Sequence, residues 1–180
     1  MYKIKCEIEG VSEMLQDNPW NIEECLKGKT TTVGAISKFD ERQLYKNDDG
    51  ICCVPARHIK GSMKMGAKKV KHGRATITQR VKACLFIEEK MIPLAEGYDF
   101  VDKNIFPKAD GKQQYKERPG FNTGWKLEFT LICYDDSLPV EKIEECLNVS
   151  GLLFGVGARR PDYGRFIVTK CEEMKLKKVI

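Results

Sequence analysis

Two histidines, His58 and His72, are the residues of this chain best suited to proton transfer near neutral pH. Either one is a candidate general acid or base. The sequence also offers each a structural role, because His58 falls at the start of a predicted helix and His72 beside its end. At the end of the helix, a cationic imidazole interacts favourably with the helix dipole.

A glycine-rich segment over residues 150–166 carries the second kind of chemistry. Glycine lets a backbone bend at positive φ or approach another molecule closely, and arginines beside such a bend can fork onto phosphate oxygens. The segment therefore predicts a loop that holds an anion against a strand edge. A tight structural turn at the sheet edge is the alternative. The residues concerned are Gly151, Gly155, Gly157, Arg159, Arg160, Tyr163, Gly164 and Arg165.

A third feature is a stretch from Pro55 to Lys82 that contains no aspartate or glutamate. The whole chain has a net charge of +5, but the acids that balance its cations lie elsewhere. One basic surface on an otherwise acidic remainder is typical of a polyanion-binding protein. The cations of this stretch are Arg57, Lys60, Lys64, Lys68, Lys69, Lys71, Arg74, Arg80 and Lys82.

A helix from Ala56 to Lys71 is predicted to position these cations. Ile59, Met63 and Val70 recur at helical spacing and predict its buried stripe. Lysines recur at the same period on another stripe, where mutual repulsion costs a few tenths of a kcal/mol per neighbouring pair. A merely solvated face is the alternative to a binding surface. The lysines of this stripe are Lys60, Lys64, Lys68 and Lys71.

The eight cysteines predict neither a disulfide framework nor a metal site. They form no C-x-x-C pair, and the histidines stand at no zinc-site spacing from them. Most fall in predicted strands or helices, among them Cys6, Cys84, Cys133 and Cys171 in strands, so we expect reduced, buried thiols. The Gly28-Lys29-Thr30 sequence lacks the upstream glycine of a phosphate-binding loop. No cofactor or metal is expected.

Length and hydropathy predict a single cytoplasmic domain over residues 1–180. Hydrophobic residues make up 42% and charged residues 32%, which fits a chain with a buried core. The longest apolar runs, such as Ala83–Ile87, are too short to span a bilayer, and no signal peptide is recognisable. We therefore expect no membrane partner.

Periodicity then predicts the order strand, helix, strand, strand, helix, strand. This is an α+β, ferredoxin-like (RRM-like) fold, with an antiparallel sheet, two helices and two loop insertions at about 11–50 and 102–124. The predicted strands are Tyr2–Glu9, Arg80–Glu88, Trp125–Tyr134 and Phe166–Cys171, and the helices are Ala56–Lys71 and one that begins near Leu138–Pro139.

Two segments resemble the RAMP superfamily. Val54-Pro-Ala-Arg-His-Ile-Lys-Gly-Ser-Met-Lys64 is similar to its proline-led entry into a helix with a Lys-Gly motif. Gly155-Val-Gly-Ala-Arg-Arg-Pro-Asp-Tyr-Gly-Arg-Phe166 is similar to its C-terminal glycine-rich loop. This family includes the repeated backbone subunits of CRISPR effector complexes, whose ferredoxin-like core holds guide RNA. The short chain favours a compact, stand-alone member from a phage or mobile element.

The resemblance implies a non-catalytic protein that binds RNA or single-stranded DNA. It implies partners too, either further copies assembled in rows along the strand or other CRISPR-like subunits. Tyr163 is expected to stack on a base or else to pack beside Phe166. The implied binding residues are Arg57, Lys60, Lys64, Lys68, Gly155, Gly157, Arg159, Arg160, Tyr163 and Arg165.

Two other functions remain open from the sequence. Some relatives cut RNA, so a small metal-independent endoribonuclease that uses His58 or His72 is one. A protein-interaction module that mimics a CRISPR subunit, as an inhibitor would, is the other.

Overall fold

The computed structural model describes residues 1–19, 38–107 and 113–174, with the backbone alone at residues 106, 107, 113 and 114. None of the helices in these ranges is long and apolar enough to cross a membrane. The helices are α1 (Ala56–Gly66), α2 (Thr78–Cys84) and α3 (Val140–Leu153), with a 3-10 helix at Glu41–Gln43. The strands are β1 (Tyr2–Gly10), β2 (Met14–Leu15), β3 (Cys52–Pro55), β4 (Lys71–His72), β5 (Ala75–Thr76), β6 (Leu85–Ile87), β7 (Met91–Ala95), β8 (Phe100–Pro107), β9 (Gln113–Phe121), β10 (Lys126–Cys133) and β11 (Phe166–Met174).

The central sheet has the strand order β11-β1-β10-β6, and all its neighbouring strands are antiparallel. Because side chains alternate along a strand, Ile4, Cys6 and Ile8 of β1 point to the core beneath α1 and α3. Leu127, Phe129 and Leu131 of β10 lie on the same face. This topology confirms the predicted α+β, ferredoxin-like fold.

Ion pairs between neighbouring strands and loops cover the β1 and β10 part of the outer face of this sheet, whereas Phe86 and Tyr134 are exposed at its β6 edge. The side chains of this face are those that alternate with the buried ones, and most are charged. Three lysines here already have carboxylate partners, so this face has little charge left for an external anion. The pairs are Lys3–Glu88 at 2.6 Å, Lys5–Glu128 at 3.2 Å and Lys126–Glu9 at 3.3 Å.

The predicted strand Arg80–Glu88 is wrong for most of its length. Thr78–Cys84 forms α2, and only Leu85–Ile87 is a strand. Val81 is buried, and its N–H donates to the carbonyl oxygen of Ile77 at 2.9 Å. A short run with apolar residues at every second position also satisfies a two-turn helix when only one of them must be buried.

Two other segments also differ from prediction. The helix predicted over residues 56–71 ends at Gly66, and Lys71–His72 pairs as β4 with β5. The predicted loop at 102–124 contains the hairpin of β8 and β9 instead, which pairs with β2. This hairpin is rich in charged side chains on both faces, so it lacks the apolar alternation that marks a strand. Residues 20–37 of the first insertion and 108–112 of the second lie outside the described residues.

The cysteines of the described ranges are free thiols, and Cys25 lies outside these ranges. Cys84 ends α2 and does not lie in a strand as predicted. Cys6 and Cys171 face each other across β1 and β11 with their sulfurs 4.0 Å apart. This contact, followed by burial, raises the pKa of the Cys6 thiol, which keeps it protonated.

Candidate functional site

The site is built around α1, which begins where β3 ends at Pro55. Pro55 is extended and precedes the first turn of the helix. Ala56 starts the helix, and its N–H donates to the carbonyl of Lys90 at 3.0 Å. Tyr45, from the first insertion, supports this first turn. The Arg57 guanidinium lies 5.4 Å from the Tyr45 ring centroid, and the His58 ring meets it edge-on at 5.2 Å.

Three exposed cations lie along α1 and the turn that follows it, and we call them the basic face: Arg57 and Lys64 of α1, and Lys68 in the turn two residues beyond Gly66. Arg57 and Lys64 are seven residues apart and return to nearly the same side of the helix, and all three side chains are exposed. Within residues 1–19, 38–107 and 113–174, no carboxylate oxygen lies within 4.0 Å of any of them. The buried side of the helix carries Ile59 and Met63.

Lys60 occupies a different position from its neighbours on the predicted stripe. Its ammonium donates to the carbonyl oxygens of Val81, in the middle of α2, and Leu85, at the start of β6. Burial, followed by the nearby Lys64 cation, lowers the pKa of Lys60 to about 8. Two of its three donors are therefore engaged within the protein, and Lys60 joins α1 to α2.

Small residues bring α3 against α1. Ser62 donates to the carbonyl of Ser150 at 3.1 Å, and Cys146 contacts the carbonyl of Met63 at 3.5 Å. A side chain at Gly66 would overlap the hydroxyl of Ser150. Close packing of the two helices places the end of α3 beside the last turn of α1.

Residues 155–165 form the glycine–arginine loop, which follows α3 and is held against residues 11–15. The N–H groups of Gly164 and Ala158 donate to the backbone carbonyls of Glu13 and Leu15, each at 2.7 Å. The N–H of Val11 donates to the backbone carbonyl of Arg165 at 2.8 Å. The loop is thus bound to the protein on one side by its own backbone.

Its glycines allow this close packing. Gly155, Gly157 and Gly164 have φ values of 64°, 82° and 75°. A side chain at Gly157 would overlap the carbonyl of Leu15, and one at Gly164 that of Val156. The space that the missing side chains leave is filled by the protein's own backbone, so these glycines fix the shape of the loop.

A cleft of about 710 Å³ separates the loop from the helices. Met65 of α1 and Leu153 at the end of α3 line one side and are 40% and 52% exposed. Arg159, Arg160 and Pro161 line the other side. The structure therefore brings the predicted loop and the predicted helix to one place.

The loop side chains have different surroundings. Arg159 lies 3.5 Å from the carboxylate of Asp102 in β8 and 5.1 Å from the Tyr163 ring centroid. It ties the loop to the β8–β9 hairpin, and its guanidinium lies by the half-buried Tyr163. Arg160 and Arg165 are exposed. Of the loop arginines, these two have no carboxylate oxygen within 4.0 Å in the described ranges.

The two histidines are far apart. His58 lies between Arg57 and the loop, whereas His72 follows the end of α1. Gly66, the last residue of α1, lies eight residues after His58, which corresponds to about 12 Å along the helix axis. His72 comes six residues after Gly66. Burial first, and then the positive charges of Arg57 and Arg160, together lower the pKa of His58 to about 4. His58 is therefore neutral at pH 7.

We expect the stability of the protein to depend on His58 in acid. Unfolded, His58 has its ordinary pKa near 6.5, so between pH 6.5 and pH 4 the unfolded chain binds more protons. Its contribution to stability is complete above about pH 6.5 and declines as the pH falls toward 4. Urea midpoints measured at pH 7 and pH 5 should differ less in His58→Gln than in the native chain. His72→Gln is the control, and an equal difference in all three proteins would contradict the assignment.

Sequence analysis missed two residues of the site. Tyr45 lies in an insertion without periodicity, so nothing in the sequence indicates that it supports the start of α1. Met65 is an exposed methionine at helical spacing, a pattern that carries no functional signal in a sequence. Only the folded arrangement places it in the cleft with Arg160.

Comparison with known proteins supports the fold. No protein-family model matches the chain, and no curated protein matches it by sequence. Among solved structures, it is similar to a chain of the type III-B Cmr-beta bound to cognate target RNA, with a TM-score of 0.58 at 16% identity. The match covers 97% of this chain and 61% of that chain, so this chain spans about three fifths of that neighbour's length. A chain of a type IV-B CRISPR complex matches with a TM-score of 0.53 at 8% identity, over 99% of this chain and 93% of that one.

Proposed function

We propose that this protein binds RNA or single-stranded DNA along α1 and the glycine–arginine loop without cleaving it. The observation that carries the proposal is the basic face, whose three cations are exposed and have no carboxylate within 4.0 Å in the described residues. Charges held apart at helical spacing repel each other, and a polyanion would relieve this repulsion. Arg160 and Arg165 extend the same surface onto the loop.

The chemistry of these side chains favours recognition of the sugar–phosphate backbone. Lysine ammonium groups act as point charges on phosphate oxygens, whereas arginines add bidentate hydrogen bonds. Contacts of this kind position a strand without reading its sequence. The outer sheet face, which RRM domains use for RNA, is occupied here by ion pairs, so the helical side is the better surface.

A non-catalytic role fits the histidines better than RNA cleavage does. At neutral pH, a pKa near 4 leaves His58 without the proton that a general acid must carry, and it makes the neutral ring a weak general base. His72 lies beyond the other end of α1 and is not placed to assist it.

The wider assignment rests on the RAMP resemblance together with the type III-B and type IV-B neighbours. We infer that the protein is a RAMP-type subunit, encoded by a phage or mobile element, that associates with copies of itself or with other CRISPR-like subunits along the strand. Light scattering with and without oligonucleotide measures this assembly.

The salt dependence of binding tests the proposal. Five cations on phosphates, at about 0.7 each for a single strand, give a slope of about −3.5 for log K against log salt. Fluorescence anisotropy of a labelled oligonucleotide over a salt series measures this slope. Absence of binding at low salt would overturn the proposal and favour a subunit mimic that contacts protein.

A further inference from the structure

Two exposed aromatic side chains lie side by side at the edge of the central sheet. Phe86 of β6 is 46% exposed, and Tyr134, which directly follows β10, is 58% exposed. Their ring centroids are 5.7 Å apart and their planes meet at 82°. Neither ring belongs to the basic face or to the loop. Because large aromatic surfaces are usually removed from water, an exposed pair indicates a surface that receives a ligand.

The aromatic pair borders the basic face through Lys60. The Lys60 ammonium lies 5.2 Å from the Phe86 ring centroid, and its bonds to the carbonyls of Val81 and Leu85 hold it there. On α1, Lys60 is one turn from Lys64, and side chains four residues apart on a helix are neighbours. The rings therefore lie beside the proposed path of the phosphates.

The charges around the pair also suit a polyanion. Lys82 of α2 is exposed, and no carboxylate oxygen lies within 4.0 Å of it in the described part of the chain. Of the acids nearest in sequence, Glu89 accepts from the backbone N–H of Thr130, and the other three each pair with a cation. Their partners are Arg80 for Asp135, the N-terminal amine for Asp136 and Lys3 for Glu88.

We propose that Phe86 and Tyr134 form a stacking site for an unpaired nucleobase of the strand whose phosphates lie on the basic face, an inference that rests on the proposed function. Every base has a π-face, so an aromatic ring binds it with little regard to sequence. The bases of a duplex are stacked on each other and do not reach such a ring. The site thus selects single-stranded over double-stranded nucleic acid.

The test compares an ordinary oligonucleotide with an abasic one of the same length, which keeps the phosphates and lacks the bases. Stacking of one base raises affinity by roughly 5- to 150-fold. We expect the native protein to prefer the ordinary oligonucleotide by a factor in this range. In Phe86→Leu/Tyr134→Leu this preference should disappear while the salt slope stays the same, because no cation is changed.

A second aromatic pair provides the matched control. Phe39 and Tyr98 have ring centroids 4.9 Å apart, and Tyr98 is 37% exposed. Phe39→Leu/Tyr98→Leu should keep the full preference for bases, and thermal unfolding verifies that both double variants are folded.

Two results would overturn the stacking site. One is an unchanged preference for bases in Phe86→Leu/Tyr134→Leu while both oligonucleotides still bind, which leaves the proposed function intact. The other is loss of self-association in that variant with unchanged oligonucleotide binding, which would assign the rings to a protein contact. If neither oligonucleotide binds the native protein at low salt, the stacking site and the proposed function both fail.

Discussion

Replacement of both Lys64 and Lys68 by glutamine should weaken single-strand binding by roughly 60-fold at 50 mM salt. Each phosphate contact that is lost lowers the affinity by about eightfold at 50 mM salt, relative to its effect at 1 M salt. Both ammonium groups are exposed on the basic face and make no ion pair in the described ranges, so their loss removes charge without breaking an internal contact. The slope of log K against log salt should become shallower by about 1.4. Lys60 is left intact because its bonds to α2 and β6 are structural.

The matched control for this variant is Lys5→Gln/Lys126→Gln. It removes the same net charge from the outer face of the sheet, where each lysine has one exposed carboxylate partner. Exposed pairs of this kind contribute about 0–1 kcal/mol, so both variants should fold. If the control weakens binding as much as Lys64→Gln/Lys68→Gln, binding depends on net charge and the basic face is not the site. Anisotropy titrations of the two variants in parallel decide this.

Substitution of Gly164 by alanine should destabilise the protein by about 2–5 kcal/mol. The positive φ of 75° costs a non-glycine residue about 1–2 kcal/mol, and overpacking adds about 1–3 kcal/mol. The new methyl group would overlap the carbonyl of Val156, and the hydrogen bond from Val156 to Gly164 at 2.9 Å would have to shift. For a chain of this size the melting temperature should fall by about 4–20 °C.

Gly124→Ala separates the two contributions. Gly124 has a φ of 93°, but nothing lies within 4 Å of the position that its methyl group would take. This variant should lose only the backbone cost of about 1–2 kcal/mol. Differential scanning calorimetry of both proteins gives the comparison. A loss in Gly164→Ala no greater than in Gly124→Ala would show that the loop adjusts freely, contrary to the packing described above.

The change in loop geometry should also weaken the binding of nucleic acid. In Gly164→Ala at a temperature where it is folded, the loop no longer holds Arg160 and Arg165 in their native positions. The salt slope should then decrease by about 1.4 for two lost phosphate contacts, while the contribution of the basic face remains. The same anisotropy series measures it.

Strict alternation made three strands of the fold predictable from sequence. Tyr2–Glu9, Trp125–Tyr134 and Phe166–Cys171 each alternate because one face is buried beneath helices, and β1, β10 and β11 occupy these positions. The α2 segment was not predictable, since a single buried residue, Val81, satisfies either period. The β8–β9 hairpin was not predictable either, because its strands do not separate apolar from polar faces.

The exposed cations of the site were predictable from the sequence, because their position depends on exposure alone. Lys64 is exposed on α1 as helical periodicity implies, and Lys68 is exposed in the turn that follows. The same periodicity gave no indication that α2 ends within reach of Lys60, or that Asp102 lies beside Arg159, because each of those contacts joins elements distant in sequence. Which predicted cations contact nucleic acid remains a prediction that the variants above address.

The packing of α1 on α3 through Ser62, Gly66 and Ser150 has a thermodynamic consequence for the ligand. The loop leaves α3 directly and is bonded to residues 11–15, so the basic face and the loop arginines keep a fixed separation before a strand arrives. A preorganised surface loses little conformational freedom on association. Calorimetry should therefore assign most of the entropy loss on binding to the nucleic acid, and the heat capacity change should be small because few apolar groups are buried.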